Sequence, residues 1–177
     1  MRIISGKHKG KSIIAPKNLP VRPTTDFAKE GLFNILGNEF NIEEIEVLDL
    51  FSGTGNIALE FASRGAKKVM CIDLNHNCVS FIKKMKRELE FTQISVFRND
   101  TFRYLKQYPQ TYDIIFADPP YDMKDMGKIA ELVFENKLLN ENGWLIIEHD
   151  RRTDLSEEAH FVTARKYSNV NFSIFEN

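Results

Sequence analysis

Residues 45–65 of this chain, "IEVLDLFSGTGNIALEFASRG", decide its fold. Residues 45–51 form an apolar run typical of a buried strand, and residues 56–65 have the apolar spacing of a helix. Between them, Gly53 and Gly55 permit a tight turn and let the backbone come close to a ligand. A strand, a glycine turn and a helix in this order predict the start of a βαβ unit with a ligand site at the turn.

The remaining sequence continues this alternation of strands and helices. A first helix is predicted within residues 24–40, behind Thr25 or Asp26 as candidate caps. Further strands are predicted at residues 68–73, 94–100, 112–118 and 143–149, and further helices at residues 76–91, 102–108 and 126–139. Such alternation predicts right-handed βαβ units and a parallel sheet covered on both faces. Two strand-like runs in the tail, residues 160–167 and 170–176, predict a closing antiparallel hairpin.

The composition is that of a single globular domain with a small appendage: 177 residues, 42% hydrophobic, with a net charge of −1. There is no signal-peptide pattern, and no stretch approaches the roughly 20 apolar residues that a membrane helix needs. We therefore expect a cytoplasmic protein with no membrane partner. Cys71 and Cys78 lack CxxC spacing and a companion histidine cluster, which argues against a disulfide framework and against a metal site.

The charge is unevenly distributed along the chain. Six of the 24 basic residues precede the first acidic residue, Asp26, so the other 18 face all 25 acidic residues and leave a net charge of −7. A basic arm on an acidic body favours a polyanionic partner, although lysines that merely keep a surface ribbon soluble would give the same pattern. Two short β-prone runs around residues 6–10 predict a hairpin with Lys7, Lys9 and Lys11 at its tip, which could reach a phosphate backbone.

Aspartates stand at the ends of three successive predicted strands: Asp49, Asp73 and Asp100. Ligands of an open parallel sheet bind beyond the carboxyl ends of its strands, so these residues lie where a nucleotide-like cofactor would bind. Asp49 would repel the pyrophosphate of NAD, whereas the sulfonium and ammonium groups of S-adenosylmethionine (SAM) suit a carboxylate. Asp73 is placed to accept from ribose hydroxyls and Asp100 from an adenine amino group. Each aspartate could instead cap a helix.

Residues 117–122, "ADPPYD", follow the fourth of the βαβ strands. A rigid turn is one interpretation, and a catalytic turn is the other. An exocyclic amine of a nucleobase must become pyramidal to attack a methyl group, and hydrogen-bond acceptors on its two N–H groups favour that change. The carboxylate of Asp118 supplies one acceptor and the carbonyl of Pro119 the other, with its direction fixed because Pro119 and Pro120 lock φ. Tyr121 offers a ring on which an extruded base can stack.

With these residues in place, the chain resembles the RsmD family of methyltransferases, which modify guanine N2 in 16S ribosomal RNA. The resemblance covers most of the chain and lies in the stretches "MRIISGKHKGK", "RPTTDFAKEGLFNIL", "VLDLFSGTGNIALEFASRGA" and "DPPY". It implies a Rossmann-like class I SAM-dependent methyltransferase fold: an α/β domain with a seven-stranded, mostly parallel sheet, a closing antiparallel hairpin and a small N-terminal β-hairpin extension. Residues 1–24 would be a basic hairpin and linker that bind RNA, and residues 25–177 the methyltransferase domain.

The resemblance also implies roles for individual residues. Contacts to SAM are expected from Asp49, Phe51, Gly53, Gly55, Asp73 and Asp100, and catalysis from Asp118, Pro119, Pro120 and Tyr121. The RNA, within an assembled or assembling 30S particle, would be held by Lys7, Lys9, Lys11, Arg22 and Thr25. Two places depart from the family pattern, since Phe27 stands where a basic residue is usual, and Ser168 and Asn169 replace a glycine that is common in the last turn.

The residues leave other functions open. An adenine-N6 methyltransferase acting on DNA or RNA would use the same Asp-Pro-Pro-aromatic chemistry, as would methylation of a glutamine side chain. The chain has no separate target-recognition domain, which argues against a sequence-specific DNA enzyme. An NAD-dependent oxidoreductase fits the glycine turn but not Asp49. A non-catalytic RNA-binding module would be expected to lack Asp118 and Tyr121, which are present.

Overall fold

The computed structural model describes residues 1–16, 19 and 24–177 and places seven strands in one sheet. The strands are β1 (Glu46–Leu50), β2 (Lys68–Asp73), β3 (Ile94–Arg98), β4 (Tyr112–Ala117), β5 (Leu139–His149), β6 (Phe161–Tyr167) and β7 (Val170–Glu176). The helices are α1 (Asp26–Glu39), α2 (Asn56–Ser63), α3 (His76–Glu88), α4 (Thr101–Gln107) and α5 (Gly127–Glu135), with a short 3₁₀ turn at Ile42–Glu44. The predicted Rossmann-like α/β architecture is confirmed.

The order of strands across the sheet is β3-β2-β1-β4-β5-β7-β6. Strands β1 to β5 run parallel, and β7 is antiparallel to both β5 and β6. The chain passes from β1 outward to β2 and β3, then returns to β4 on the other side of β1. This reversal leaves a crevice beyond the carboxyl ends of β1 and β4, which is where open α/β sheets bind their ligands.

Apolar cores cover both faces of the sheet. One core packs α1, α2 and α3 through residues such as Leu32, Phe61 and Ile82, and the other packs α4 and α5 through residues such as Tyr104 and Ile129. Cys71 and Cys78 are free and buried, as expected of packing residues. Within residues 1–16, 19 and 24–177, no helix is long and apolar enough to cross a membrane.

The first thirteen residues pair as an N-terminal hairpin that lies along α2. The amide of Ile3 donates to the carbonyl of Lys11 at 3.0 Å, and the amide of Ile13 donates to the carbonyl of Met1 at 2.9 Å. Gly6 has a φ of +82°, and a Cβ there would lie 1.8 Å from the carbonyl oxygen of Ser63. The hairpin turn is therefore fitted closely onto the end of α2.

Several element boundaries differ from the sequence prediction by a few residues, and two of the differences have clear local reasons. Helix α3 ends at Glu88 instead of residue 91, because Glu90 takes a positive φ of 54° that closes the last turn. Strand β5 begins at Leu139 instead of residue 143, because Leu139 pairs with Tyr112 of β4. Leu139, assigned to a helix from its sequence, is thus the first residue of β5.

Candidate active site

Three carboxylates meet at the carboxyl ends of three adjacent strands. Asp49 lies in β1, Asp118 follows β4 directly, and Glu148 lies near the end of β5. Asp49 and Glu148 are each only 2% exposed. Among the described residues, the Oδ2 atom of Asp49 is buried without a hydrogen-bond partner. A buried carboxylate oxygen left in this state costs free energy, so its surroundings suit a ligand that donates to it or carries positive charge.

The glycine turn between β1 and α2 has an unusual backbone. Phe51, Gly53 and Gly55 all have positive φ, at 56°, 54° and 71°. The amide of Gly53 donates to Oδ2 of Asp73 at 2.7 Å, which ties the turn to the end of β2. A Cβ on Gly55 would lie 3.0 Å from Cγ1 of Ile82, so a larger residue there would press against α3. The turn is therefore held in one shape at the carboxyl edge of the sheet.

The other two predicted cofactor aspartates have structural partners. Asp73 accepts from the amide of Asn75 at 2.7 Å in addition to the amide of Gly53. Asp100 is exposed and caps α4, accepting from the amide of Arg103 at 2.9 Å. Their contacts to a cofactor stay predictions. Both lie at the ends of neighbouring strands, on the same edge as Asp49.

The turn at residues 118–121 is anchored to the sheet at its start and open at its end. The amide of Asp118 donates to the carbonyl of Leu50 at 3.4 Å, which places it beside β1. Pro119 is buried, whereas Pro120 is exposed and accepts from the amide of Met123 at 2.9 Å. The side chain of Tyr121 is 42% exposed. Its ring is therefore available at the mouth of the crevice.

Burial raises the pKa of all three carboxyl groups at this edge of the sheet. It raises the pKa of Asp49 to about 8 and that of Glu148 to about 7. Burial, followed by the charges of Glu148 and Asp49, holds the pKa of Asp118 well above its usual range. Burial and the charge of Glu148 also raise the pKa of Tyr121, so its hydroxyl remains a donor. Three carboxylates that cannot all be ionised together form a site that favours a cation or an amine.

The hairpin lysines predicted to hold RNA lie away from this crevice. The amide of Lys7 donates to the carbonyl of Ser63 at 2.7 Å, and its Nζ lies 4.0 Å from Oε2 of Glu90. Because α2 starts at the carboxyl edge and ends at Ser63, the hairpin turn lies toward the opposite edge of the sheet. Lys9 and Lys11 are exposed near that turn. Their role in binding RNA stays a prediction.

Two further predicted RNA contacts have separate outcomes. Thr25 caps α1, with its hydroxyl accepting from the amide of Ala28 at 3.2 Å. Arg22 lies outside the described residues.

The two departures from the family pattern have structural consequences. Phe27 is exposed and packs edge-on against Tyr167, with 5.8 Å between ring centroids, and this contact joins α1 to β6. Ser168 adopts a φ of 60°, a conformation that the replaced glycine would take without strain.

Sequence reasoning missed Glu148 and Thr24, which the structure brings together. The hydroxyl of Thr24 donates to Oε2 of Glu148 at 2.6 Å, and the hydroxyl of Tyr121 donates to Oε1 at 3.3 Å. The sequence signal for Glu148 was an acidic residue near the end of the apolar run "WLIIEH". Ala117 of β4 pairs with Ile147 of β5, so Asp118 and Glu148 follow paired residues on neighbouring strands. In residues 1–16, 19 and 24–177, no three His, Cys, Asp or Glu side chains form a group that could hold a metal ion.

Comparisons with known proteins identify the family to which this chain belongs. The family model described as "Conserved hypothetical protein 95" matches residues 1–176. The ribosomal RNA small subunit methyltransferase D of Buchnera aphidicola subsp. Baizongia pistaciae is 38% identical over 152 residues, which cover 85% of this chain and 76% of that protein. The protein of the same name from Escherichia coli K12 is 32% identical over 148 residues, covering 84% of this chain and 71% of that protein.

A solved structure supports the same fold. The Escherichia coli protein yhhF superposes with a TM-score of 0.88 and 23% identity, over 100% of this chain and 97% of that one. At this identity the match supports the fold alone, and the family assignment rests on the sequence relatives and the family model. The chain belongs to the RsmD family, the ribosomal RNA small subunit methyltransferase D family.

Proposed function

We propose that this protein transfers a methyl group from SAM to the exocyclic N2 amine of a guanine in 16S ribosomal RNA. The observation that carries the proposal is the Asp118–Tyr121 turn beside two buried carboxylates, Asp49 and Glu148, at the reversal point of the sheet. Membership of the RsmD family supports an RNA methyltransferase, and the choice of guanine N2 follows the family.

The glycine turn fits SAM better than it fits a dinucleotide. Oδ2 of Asp49 has no partner among the described residues and lies in a low-dielectric crevice, which favours a cation and repels a pyrophosphate. SAM supplies a methyl group on a positively charged sulfonium. We assign its binding to Asp49, Phe51, Gly53, Gly55, Asp73 and Asp100. Because Gly53 and Gly55 have no side chains, the cofactor can approach the backbone of the turn closely.

The turn at residues 118–121 supplies the acceptors that a planar amine needs. The carboxylate of Asp118 accepts from one N–H of the base, and the carbonyl of Pro119 accepts from the other. Pro119 and Pro120 hold this carbonyl in a fixed direction. Because burial raises the pKa of Asp118, its carboxylate can also take the proton that the amine loses once it is methylated. The half-exposed ring of Tyr121 stacks on the extruded base.

The RNA contacts belong to the same proposal. Lys7, Lys9, Lys11, Arg22 and Thr25, most of them in the basic segment 1–24, bind the phosphate backbone, and residues 25–177 carry the transfer site. The hairpin turn lies away from the crevice, so one RNA segment spanning both would have to run along α2. A binding surface that extends from the hairpin turn to the crevice suits an assembled or assembling 30S particle, whose shape would provide part of the recognition. We infer a cytoplasmic location from the proposed ribosomal substrate.

The test is to incubate the protein with labelled SAM and small ribosomal subunits from a strain that lacks this activity. The labelled nucleoside is then identified by mass spectrometry. We expect N2-methylguanosine. N6-methyladenosine, or transfer only to DNA or to protein, would retain the amine chemistry and overturn the substrate. Absence of transfer to all of these acceptors would overturn the proposal.

A further inference from the structure

Glu148 stands where three separately placed segments meet. It lies in β5, between β4 and β7, and pairs with Phe172 of the closing hairpin. Its side chain is buried, and each carboxylate oxygen accepts from a different hydroxyl, that of Thr24 on Oε2 and that of Tyr121 on Oε1. One donor lies just before α1 and the other in the turn at residues 118–121. Glu148 therefore connects the segment leading into α1 with that turn.

Burying the charged carboxylate of Glu148 costs free energy that burying an uncharged side chain would not cost. Burying a charge is unfavourable unless hydrogen bonds or a counter-charge compensate. The charge-assisted bonds from two hydroxyls are stronger than bonds to a neutral acceptor would be. Because Tyr121 is partly exposed, the hydrogen bond from its hydroxyl to Oε1 of Glu148 is a contact that can fix the direction of its ring.

We propose that Glu148 is a positioning residue that holds the ring of Tyr121 for stacking on the target base and ties it to Thr24. The inference rests on the proposed function, since it takes Tyr121 as the stacking surface. Glu148 acts through the two hydroxyls and does not itself contact the amine. The ring angle is thereby linked to the placement of the segment that enters α1.

The test is a double-mutant cycle on the full-length protein with Glu148→Gln, Tyr121→Phe and the combined variant. Tyr121→Phe keeps the ring and removes only the donor, and Glu148→Gln keeps the volume and removes the charge. We expect each single change to lower kcat/KM for small ribosomal subunits about tenfold, as for loss of one charge-assisted hydrogen bond. The combined variant should be no more than about twofold worse than either single one.

Independent readouts separate positioning from a general effect on folding. SAM affinity by calorimetry and the midpoint of urea unfolding should change little in Tyr121→Phe. Thr24→Ser, which keeps the hydroxyl, should retain activity that Thr24→Val, of nearly the same shape, loses. If Glu148→Gln does not fold, the same cycle is run with Thr24→Val and Tyr121→Phe, and non-additive losses are again expected.

Two outcomes would overturn the inference: additive losses in the cycle, or normal kcat/KM in Glu148→Gln. Both are distinct from failure of the proposed function, which the wild-type protein reports by the nucleoside that it methylates. If the wild type methylates another acceptor, the cycle is measured on that acceptor and decides the role of Glu148 in the same way.

Discussion

Two sets of buried carboxylates in this protein have opposite surroundings. Glu60 on α2 is fully buried, and its carboxylate lies 3.2 Å from Nζ of Lys29 and 2.8 Å from Nε of Arg64. It also accepts from the amides of Ile4 and Ser5 at 2.8 and 3.0 Å. Asp49 and Glu148 are almost as deeply buried, yet among the described residues neither lies within ion-pair distance of a basic group.

The difference shows that burial of a charge does not by itself mark a functional site. The paired carboxylate of Glu60 ties the N-terminal hairpin to α2 and to Lys29 of α1, so its charge is used within the fold. The carboxyl groups at the edge of the sheet lack a counter-charge, so burial raises their pKa and they are not all ionised in the free protein. Under the proposed function, a cationic cofactor and an amine substrate would favour their ionised forms. Paired charge thus indicates structure, and unpaired charge indicates a binding site.

The largest effect is expected where a paired charge is broken. Glu60→Gln leaves the buried ammonium of Lys29 without its counter-charge, and we expect a loss of about 3 to 5 kcal/mol in the free energy of unfolding. Urea unfolding measures it. The matched control is Glu131→Gln, which breaks an exposed pair with Lys128 and should cost less than about 1 kcal/mol. Equal losses in the free energy of unfolding would mean that the buried pair of Lys29 and Glu60 stabilises the protein no more than the exposed pair of Lys128 and Glu131 does.

Next in size is the effect of removing the charge of Asp118. Asp118→Asn should lower kcat by about 10²- to 10³-fold, the range typical of removing one preorganised hydrogen bond to the transition state. SAM affinity should be nearly unchanged, and stability should change little, because burial already favours the uncharged form of Asp118 in the free protein. Asp122→Asn, an exposed aspartate four residues further on, serves as the control in a single-turnover assay. Normal turnover in Asp118→Asn would remove this residue from the mechanism.

A pH dependence follows from Asp49. Its pKa in the free protein is about 8, against an ordinary value of 3.8, so between these limits the folded chain holds a proton that the unfolded chain has lost. Stability should therefore fall as pH rises through this window, while affinity for the cationic cofactor should rise. Calorimetric titrations between about pH 6 and pH 8 measure the affinity. Asp49→Asn should flatten both trends, and a wild-type affinity independent of pH would contradict the assignment.

A smaller effect is expected at the hairpin. Charge reversal at Lys7, Lys9 and Lys11 should weaken RNA binding and reduce the slope of log affinity against log salt by about 0.7 to 0.9 for each phosphate that is no longer neutralised. Reversal of Lys83, Lys106 and Lys137, exposed elsewhere, is the control. An unchanged slope would mean that the hairpin is a structural element held by Glu60 and not an RNA-binding one.

The smallest effect concerns the two roles of Thr25. Thr25→Ala should lower the free energy of unfolding by about 1 kcal/mol through loss of the α1 cap, and Thr25→Ser should restore it. The proposed role of Thr25 as an RNA contact is tested by measuring the RNA affinity of both variants by filter binding. A loss of affinity in Thr25→Ala that Thr25→Ser reverses supports contact with RNA, and equal affinities restrict Thr25 to capping.

The sequence predicted what local pattern determines and missed what depends on distant pairing. Residues 45–65 predicted β1, the glycine turn and α2, and the alternation that followed predicted the order of the elements. The candidate site at residues 118–121 could be predicted because the chemistry proposed for it is contained in four adjacent residues. Glu148 was missed because its partner Thr24 lies 124 positions away in the sequence.

The paired network was missed for the same reason. Lys29 and Glu60 lie on different helices, and each fits the ordinary pattern of a charged residue on a helix surface. Nothing in the local sequence indicates that the N-terminal hairpin covers both of them. The hairpin itself was predicted, but its position along α2 depends on the amides of Ile4 and Ser5 meeting Glu60.

The most direct test measures methyl transfer and the free energy of unfolding on the same two variants, Asp118→Asn and Glu60→Gln. We expect opposite results for the two variants. Asp118→Asn should lose methyl transfer and keep its stability. Glu60→Gln should lose stability and, at a temperature where it remains folded, keep its rate of methyl transfer. If Glu60→Gln loses transfer while folded, or Asp118→Asn unfolds as readily as Glu60→Gln, the division between paired structural charge and unpaired catalytic charge is contradicted.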